Sequence, residues 1–223
     1  MPRYVIVTGT DTDVGKTFIT AALARLYRSR GVHVVAIKPF ESGAMEGGGD
    51  GERLAAATGQ AAPHHALVRL RDPLAPAMAA DREHVTLDLE ATCARIVEHG
   101  READVVLVEG AGGVLSPLTW TADITTLARL LASDALVLVA SDRLGTLSAT
   151  HSAVQTLLDT WIVPSAIVLS APASPDLSTG ANAAAMRRRL AGFGRCAERI
   201  VEMPRCGDDE APAHLDAIVA WLG

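Results

Sequence analysis

The chain has 223 residues and a net charge of −6 at pH 7, and 49% of its residues are hydrophobic. This length supports one sizeable hydrophobic core and is short for two, so we expect a single domain over residues 1–223. The acidic balance argues against a nucleic-acid partner, which requires a basic surface to replace counterions along the phosphate backbone.

The remaining global features argue against secretion and membrane insertion. The first residues lead directly into a glycine motif, which leaves no room for a signal peptide. Apolar runs are interrupted by charges or glycine well before the roughly 20 residues that a membrane span needs. The three cysteines lack CxxC spacing, so they predict neither a disulfide framework nor a zinc site. We therefore expect a cytoplasmic protein without a membrane partner.

Five apolar clusters rich in Val, Ile and Leu predict strands buried on both faces, because they do not alternate with polar residues. They cover residues 4–7, 32–37, 105–108, 136–140 and 166–169. Helical stretches lie between them, at residues 17–29, 87–99, 124–131 and 147–159. This alternation predicts a doubly wound α/β fold with a mostly parallel sheet, flanking helices, and ligands at the carboxyl ends of the strands.

Local signals predict where some of these elements begin and end. Gly31 and Gly100 suit the left-handed position that follows a helix, and Thr86 is the predicted N-cap of the second helix. The glycine-rich residues 40–50 are interpreted as a mobile loop.

A glycine-rich segment, GTDTDVGKT at residues 9–17, connects the first predicted strand to the first predicted helix. This is the context of a phosphate-binding loop, although five residues separate its glycines where the standard pattern has four. Gly15 lets backbone N–H groups approach phosphates, Lys16 neutralises the β and γ charges, and the Thr17 hydroxyl can ligate Mg²⁺. A glycine turn that merely starts a helix is the alternative, which Gly-Lys-Thr at this junction disfavours.

The use of lysine points to a second phosphate ligand. Of 20 basic residues, 18 are arginine, and the two lysines are Lys16 and Lys38. Arginine does not replace lysine where a compact point charge must reach a phosphoryl oxygen. Lys38, at the end of the second strand, is therefore a candidate for stabilising the transferring phosphoryl group. An exposed lysine at a strand end is the alternative.

Two acidic residues are candidate metal ligands. Glu109 ends the third predicted strand, where phosphate-loop proteins place an acid that holds Mg²⁺ directly or through water. A structural acid in a turn is the alternative for Glu109. Spacing alone leaves Asp50 open between a ligand and a turn residue among glycines.

Together these motifs resemble the dethiobiotin synthetase family. The resemblance rests on GTDTDVGKT at 9–17, KP at 38–39 with SG at 42–43, VEGAGG at 108–113 and LGT at 144–146. It implies a phosphate-loop NTPase-like ligase that is a homodimer and uses ATP and Mg²⁺. The implied reaction joins 7,8-diaminononanoate and CO₂ through a carbamate and a mixed anhydride with phosphate, giving dethiobiotin, ADP and phosphate.

The resemblance also implies residue roles. Lys16 and Lys38 would be catalytic, and Thr17, Asp50 and Glu109 would hold Mg²⁺. The implied nucleotide contacts are Asp13, Val14, Gly15, Lys16, Thr17, Phe18, Glu109, Gly110, Ala111, Gly112, Ser170, Ala171, Pro204, Arg205 and Cys206. The implied substrate contacts are Thr12, Asp13, Lys38, Ser42, Gly145, Thr146, Leu147 and Ser148.

Three positions depart from the family pattern. Ser170 stands where the family has a base-reading asparagine, which leaves the choice of nucleoside triphosphate open. Ser148 replaces a more usual asparagine, and Ala185 a usual aromatic residue, which leaves the affinity for the diamine open.

Other proteins of this fold have different functions. A regulatory nucleotide-binding module of the same fold is expected to have lost Lys38, Asp50 or Glu109, and this chain retains all three. Amide-forming ligases of this fold usually carry a further glutaminase domain, for which 223 residues leave no room.

Overall fold

The computed structural model describes residues 1–43 and 48–222, and its main sheet contains six parallel strands. All strands of the described residues are β1 Arg3–Gly9, β2 Val34–Ile37, β3 Phe40–Ser42, β4 Val68–Leu70, β5 Val105–Gly113, β6 Ala135–Ser141, β7 Ala166–Ser170 and β8 Ile200–Met203. The main sheet has the order β2-β5-β1-β6-β7-β8, and β3 pairs with β4 in a separate parallel sheet. The predicted parallel sheet is confirmed.

Helices flank both faces of this sheet. They are α1 Lys16–Ser29, α2 Asp50–Thr58, α3 Pro76–Glu83, α4 Leu89–Gly100, α5 Ile124–Leu130, α6 Thr146–Asp159, α7 Asn182–Arg189, α8 Ala211–His214 and α9 Asp216–Leu222, with a kinked 3₁₀ segment at Ala191–Ala197. Successive strand residues enter opposite cores, because strand side chains alternate. Ile6 packs in the core that contains residues of α4 to α7, whereas Val5 and Val7 pack in the core of α1, α2, α8 and α9.

Helix α4 differs at both ends from its prediction. Its N-cap is Asp88, whose Oδ1 accepts a hydrogen bond from the backbone N–H of Ala91 at 2.9 Å, so the assignment to Thr86 was wrong. Gly100 lies inside the helix, because the helix continues to Arg101 at its C-cap. A Cβ on Gly100 would approach Cγ2 of Val106 to 2.5 Å, so close packing against β5 explains this glycine.

Gly31 was predicted correctly, since it follows α1 with a φ of +76°. The loop predicted over residues 40–50 is wrong at both ends, because Phe40–Ser42 form β3 and α2 begins at Asp50. Residues 44–47 of that loop lie outside the described residues. β8 was not predicted, because only four residues form it and one of them is the charged Glu202.

The order of the strands determines where functional side chains gather. β5 lies between β2 and β1, and Ile37 of β2 pairs in register with Val108, while Val7 of β1 pairs with Glu109. Parallel strands end at the same edge of a sheet, so Lys38, Glu109 and the loop after β1 meet there. No helix among the described residues is long and apolar enough to span a membrane.

Candidate active site

The phosphate loop connects β1 to the first turn of α1. Gly15 has a φ of +98°, and a Cβ at this position would approach Oγ of Ser170 to 2.8 Å. Glycine is therefore required by both backbone conformation and space. Lys16 is buried, and its Nζ donates a hydrogen bond to the backbone carbonyl of Asp11 at 2.7 Å. The lysine thus folds back over the loop, which a simple turn at a helix start would not need.

Four predicted residues meet beside this loop. The Nζ of Lys38 lies 2.6 Å from Oε1 of Glu109 and 2.7 Å from Oδ2 of Asp50. The hydroxyl of Thr17 donates to the same Glu109 oxygen at 2.7 Å. We call Thr17, Lys38, Asp50 and Glu109 the acidic cluster. The sequence left open whether Asp50 is a metal ligand or a turn residue, and the fold places its carboxylate against Lys38.

Burial strengthens the electrostatic interactions within this cluster. The side chain of Lys38 is 5% exposed and that of Glu109 is fully buried, so the alternative of an exposed strand-end lysine is wrong. Burial alone would lower the pKa of Lys38, but Glu109 and Asp50 overcome it and raise the pKa above its ordinary value. Lys38 therefore remains charged.

The pKa values of Asp50 and Lys16 also shift in the direction that this arrangement predicts. Burial favours a raised pKa for Asp50, but the nearby Lys38 outweighs it and lowers the pKa of that carboxyl. Burial, followed by repulsion from Lys38, lowers the pKa of Lys16 to about 8. The two lysines are thus electrostatically different, and only Lys16 can change its charge near neutral pH.

Among the described residues, one buried polar atom of the cluster has no hydrogen-bond partner. Oε2 of Glu109 is buried and makes no hydrogen bond within the described residues. A buried carboxylate oxygen without a partner is costly, so such an atom in a native site calls for a ligand. The hydroxyl of Thr17 and the carboxylates of Asp50 and Glu109 supply oxygen donors of the kind that Mg²⁺ prefers.

Two cavities adjoin the phosphate loop. The larger has a volume of about 830 Å³ and lies on the side of the acidic cluster. The predicted residues that line it are Thr12, Asp13, Gly15, Lys16, Thr17, Phe18, Lys38, Ser42, Asp50, Ala111 and Gly112. Gly110 contributes its carbonyl, which accepts a hydrogen bond from Lys38 at 3.3 Å.

The smaller cavity, of about 420 Å³, lies on the other side of the loop. The predicted residues that line it are Asp13, Val14, Gly15, Phe18, Ser170, Ala171, Pro204, Arg205 and Cys206. They come from the phosphate loop, the end of β7 and the segment after β8. The fold thus brings distant parts of the predicted nucleotide site together.

Gly145, Thr146, Leu147 and Ser148 form the start of α6 and are not among the residues that line the two cavities. The loop before them is firmly held, since the backbone N–H of Leu144 donates to Asp176 at 2.8 Å. Asp142, just before this loop, is buried and accepts a hydrogen bond from Asn182 of α7 at 2.7 Å. Asn182 is the chain's only asparagine, and it is not among the residues that line the two cavities.

Three charged residues that line the cavities were not predicted from the sequence. Glu41, in β3, is buried and lines the larger cavity. Arg53, in α2, lines both cavities and donates to Asp208 at 3.0 Å, and Asp208 also binds Arg25 of α1 at 2.7 Å. These contacts span 155 and 183 positions of the chain, so no local pattern could indicate them. For Glu41 the only signal was its place three residues after Lys38.

Comparisons with known proteins agree with this arrangement. A family model described as an AAA domain matches residues 3–205. The ATP-dependent dethiobiotin synthetase BioD of Corynebacterium diphtheriae is 39% identical over 188 residues, which cover 82% of each chain. The enzyme of the same name from Frankia casuarinae is 39% identical over 80% of this chain and 76% of its own.

Solved structures are similar in fold alone. Chloroplast FtsY from Physcomitrella patens has a TM-score of 0.57 and 19% identity, over 98% of this chain and 65% of that one. The signal recognition particle receptor FtsY from Elizabethkingia anophelis has a TM-score of 0.55 and 16% identity, over 100% of this chain and 66% of that one. The chain therefore spans about two thirds of the length of these structures.

The parallel sheet, the loop that ends in Gly-Lys-Thr and the acidic cluster beside it define a phosphate-loop nucleotide-binding protein. Identity with the curated relatives extends over about four fifths of the chain. The chain belongs to the ATP-dependent dethiobiotin synthetase family. The predicted family, the fold class and the ATP-dependent ligase activity are thereby confirmed.

Proposed function

We propose that the protein closes the cyclic urea of dethiobiotin at the edge formed by β2, β5 and β1, with Mg²⁺ and a nucleoside triphosphate. The proposal is carried by the acidic cluster, where Lys38 lies within 2.7 Å of two carboxylates next to the phosphate loop. Such a group of opposite charges suits a reaction that moves a phosphoryl group. Residues 1–223 would form one ligase domain.

Thr17, Asp50 and Glu109 are the residues that would hold Mg²⁺. Two carboxylates and a hydroxyl fit this ion, which usually binds one or two protein carboxylates and takes its other ligands from water and substrate phosphates. The partnerless Oε2 of Glu109 supports the assignment. When bound, Mg²⁺ would neutralise charge that develops on the phosphates.

In the proposed reaction, one amine of 7,8-diaminononanoate attacks CO₂ and forms a carbamate. A carbamate oxygen then accepts the γ-phosphoryl group, which releases ADP and leaves a mixed anhydride. The second amine attacks the carbonyl carbon, so the ring closes and inorganic phosphate leaves. Lys38 would stabilise negative charge on the carbamate and on the transferring phosphoryl group, because its raised pKa keeps it charged.

Lys16 and the loop would hold the triphosphate. The amine of Lys16 lies inside the loop, and a phosphate there would replace the carbonyl of Asp11 as its partner. Ser170, Pro204 and Arg205 line the smaller cavity, which we assign to the nucleoside. Ser170 offers a hydroxyl where the family has an amide, so base preference is part of the test.

The larger cavity is assigned to the diamine and the carbamate. Thr12, Asp13 and Ser42 supply polar atoms on its wall, next to Lys38. Gly145 to Ser148 would reach the substrate carboxylate across a homodimer, as in the family resemblance, because a helix N-terminus offers free N–H groups to an anion. The homodimer and a cytoplasmic location belong to this proposal.

The test is phosphate release from ATP, CTP and GTP with Mg²⁺ and bicarbonate, with and without 7,8-diaminononanoate, while dethiobiotin is followed by mass spectrometry. Phosphate release that requires the diamine and matches dethiobiotin in amount is the expected result. The Lys38→Ala variant should bind nucleotide without turnover, whereas Arg101→Ala, which removes only exposed ion pairs, should behave as wild type. Nucleotide binding without dethiobiotin formation in the wild type would refute the proposal.

A further inference from the structure

Glu41 is a buried carboxylate to which the proposed reaction gives no role. Its side chain accepts hydrogen bonds from the backbone N–H groups of Asp50 and Gly51, the latter at 3.5 Å. A Cβ on Gly49 would lie 2.6 Å from Oε1 of Glu41. The carboxylate is therefore packed directly against the first turn of α2 and the backbone of Gly49.

This carboxylate lies where the first N–H groups of α2 lack a hydrogen-bond acceptor. The first N–H groups of a helix have no partner inside the helix, and the helix dipole favours an anion at that end. The local N-cap residue is Gly49, which has no side chain to accept a hydrogen bond. Glu41 supplies the missing acceptor from β3, as Ser or Asp at the N-cap would do in other helices.

Asp50 is the residue whose position depends most on this contact. It is the first residue of α2, its N–H is held by Glu41, and its carboxylate lies 2.7 Å from Nζ of Lys38. Lys38 precedes Glu41 by only three residues. One short segment therefore fixes both the lysine and the helix end that carries its partner carboxylate.

We propose that Glu41 is a positioning residue for Mg²⁺, holding Asp50 at the acidic cluster rather than binding the metal itself. The inference rests on the proposed role of Asp50 as a Mg²⁺ ligand. Loss of Glu41 frees the first turn of α2, so Asp50 moves away from Thr17 and Glu109 in part of the molecules. The two remaining oxygen ligands then bind Mg²⁺ more weakly.

The test compares Glu41→Ala and Glu41→Gln with Asp88→Ala, a matched control that removes the cap of α4. Binding of ATP to the full-length protein is followed by calorimetry over a range of Mg²⁺ concentrations. Glu41→Ala should raise the Mg²⁺ concentration for half-maximal binding about tenfold, the size expected for loss of a cap. Glu41→Gln keeps one acceptor oxygen and should shift it less. ATP affinity without Mg²⁺ should not change in either variant.

Asp88→Ala should lower Tm and leave the Mg²⁺ response unchanged. If Glu41→Ala does the same, Glu41 is only a structural cap and the inference is wrong. If Glu41→Ala does not fold, Glu41→Gln decides, because an unchanged Mg²⁺ midpoint in that variant also overturns the inference. If the wild type binds Mg²⁺ and ATP but makes no dethiobiotin, the proposed function is refuted. The binding comparison between the variants would still test the role of Glu41.

Discussion

Replacing Lys38 with methionine should destabilise the protein because Glu109 then keeps a buried charge without its counterion. The side chain of Glu109 is fully buried, whereas that of Asp50 is 42% exposed and can be hydrated. Breaking a buried ion pair by removing one partner costs about 3–5 kcal/mol. For a domain of this size that corresponds to a fall in Tm of roughly 6–20 °C.

The double variant Lys38→Met with Glu109→Gln should recover much of this loss, because the charge left without a partner is that of Asp50, which water can reach. We expect a coupling free energy of about 2–3 kcal/mol between the two positions. Urea unfolding at pH 7 without Mg²⁺, followed by the fluorescence of the three tryptophans, measures it. Arg101→Ala is the control and should cost less than about 1 kcal/mol, because its ion pairs are exposed. A double variant as unstable as the sum of the single changes would refute the reasoning.

Three further predictions concern the loop and the packing. Binding of ATP should take up protons near pH 8, since a bound phosphate raises the pKa of Lys16 from about 8. Calorimetry in two buffers of different ionisation enthalpy measures this proton uptake. The Lys16→Ala variant should abolish it. The unfolded pKa of Lys16 is 10.5, so its contribution to stability rises with pH between about 8 and 10.5. Gly100→Ala should cost about 1–3 kcal/mol by overpacking, whereas Gly192→Ala, with open space at its Cβ, should cost far less in the same urea assay. Gly15→Ala should weaken ATP binding about tenfold because its φ is left-handed; unchanged binding would contradict this.

The core of the sheet and the phosphate loop could be predicted because their signals are local. Unbroken runs of Val, Ile and Leu indicate buried parallel strands, and Gly-Lys-Thr follows the first of them directly. Lys38 was found from composition, since the chain uses arginine almost everywhere else. The predicted start of α4 was wrong because both Thr86 and Asp88 have side chains that can cap a helix. Its predicted end was wrong because Gly100 allows close packing against Val106 and does not form a turn.

Other parts of the site depend on contacts between distant residues. Asp50 could not be assigned from spacing, because its position is set by Glu41 and Lys38 in three dimensions. Asp208 joins Arg25 and Arg53 across most of the chain, so only the fold reveals it. A pattern of residue types contains no information about such pairs until the order of the strands is known.

The burial of both lysines has a practical consequence for chemical labelling. Lys16 is 6% exposed and Lys38 is 4% exposed, so the folded protein presents no lysine amine on its surface. An amine-selective reagent at mildly alkaline pH therefore finds no exposed lysine side chain on the folded protein. Slow reaction at Lys16, whose pKa is about 8, would report whether the phosphate loop is empty. Arginine gives this protein its positive surface charge and leaves lysine chemistry to the site alone.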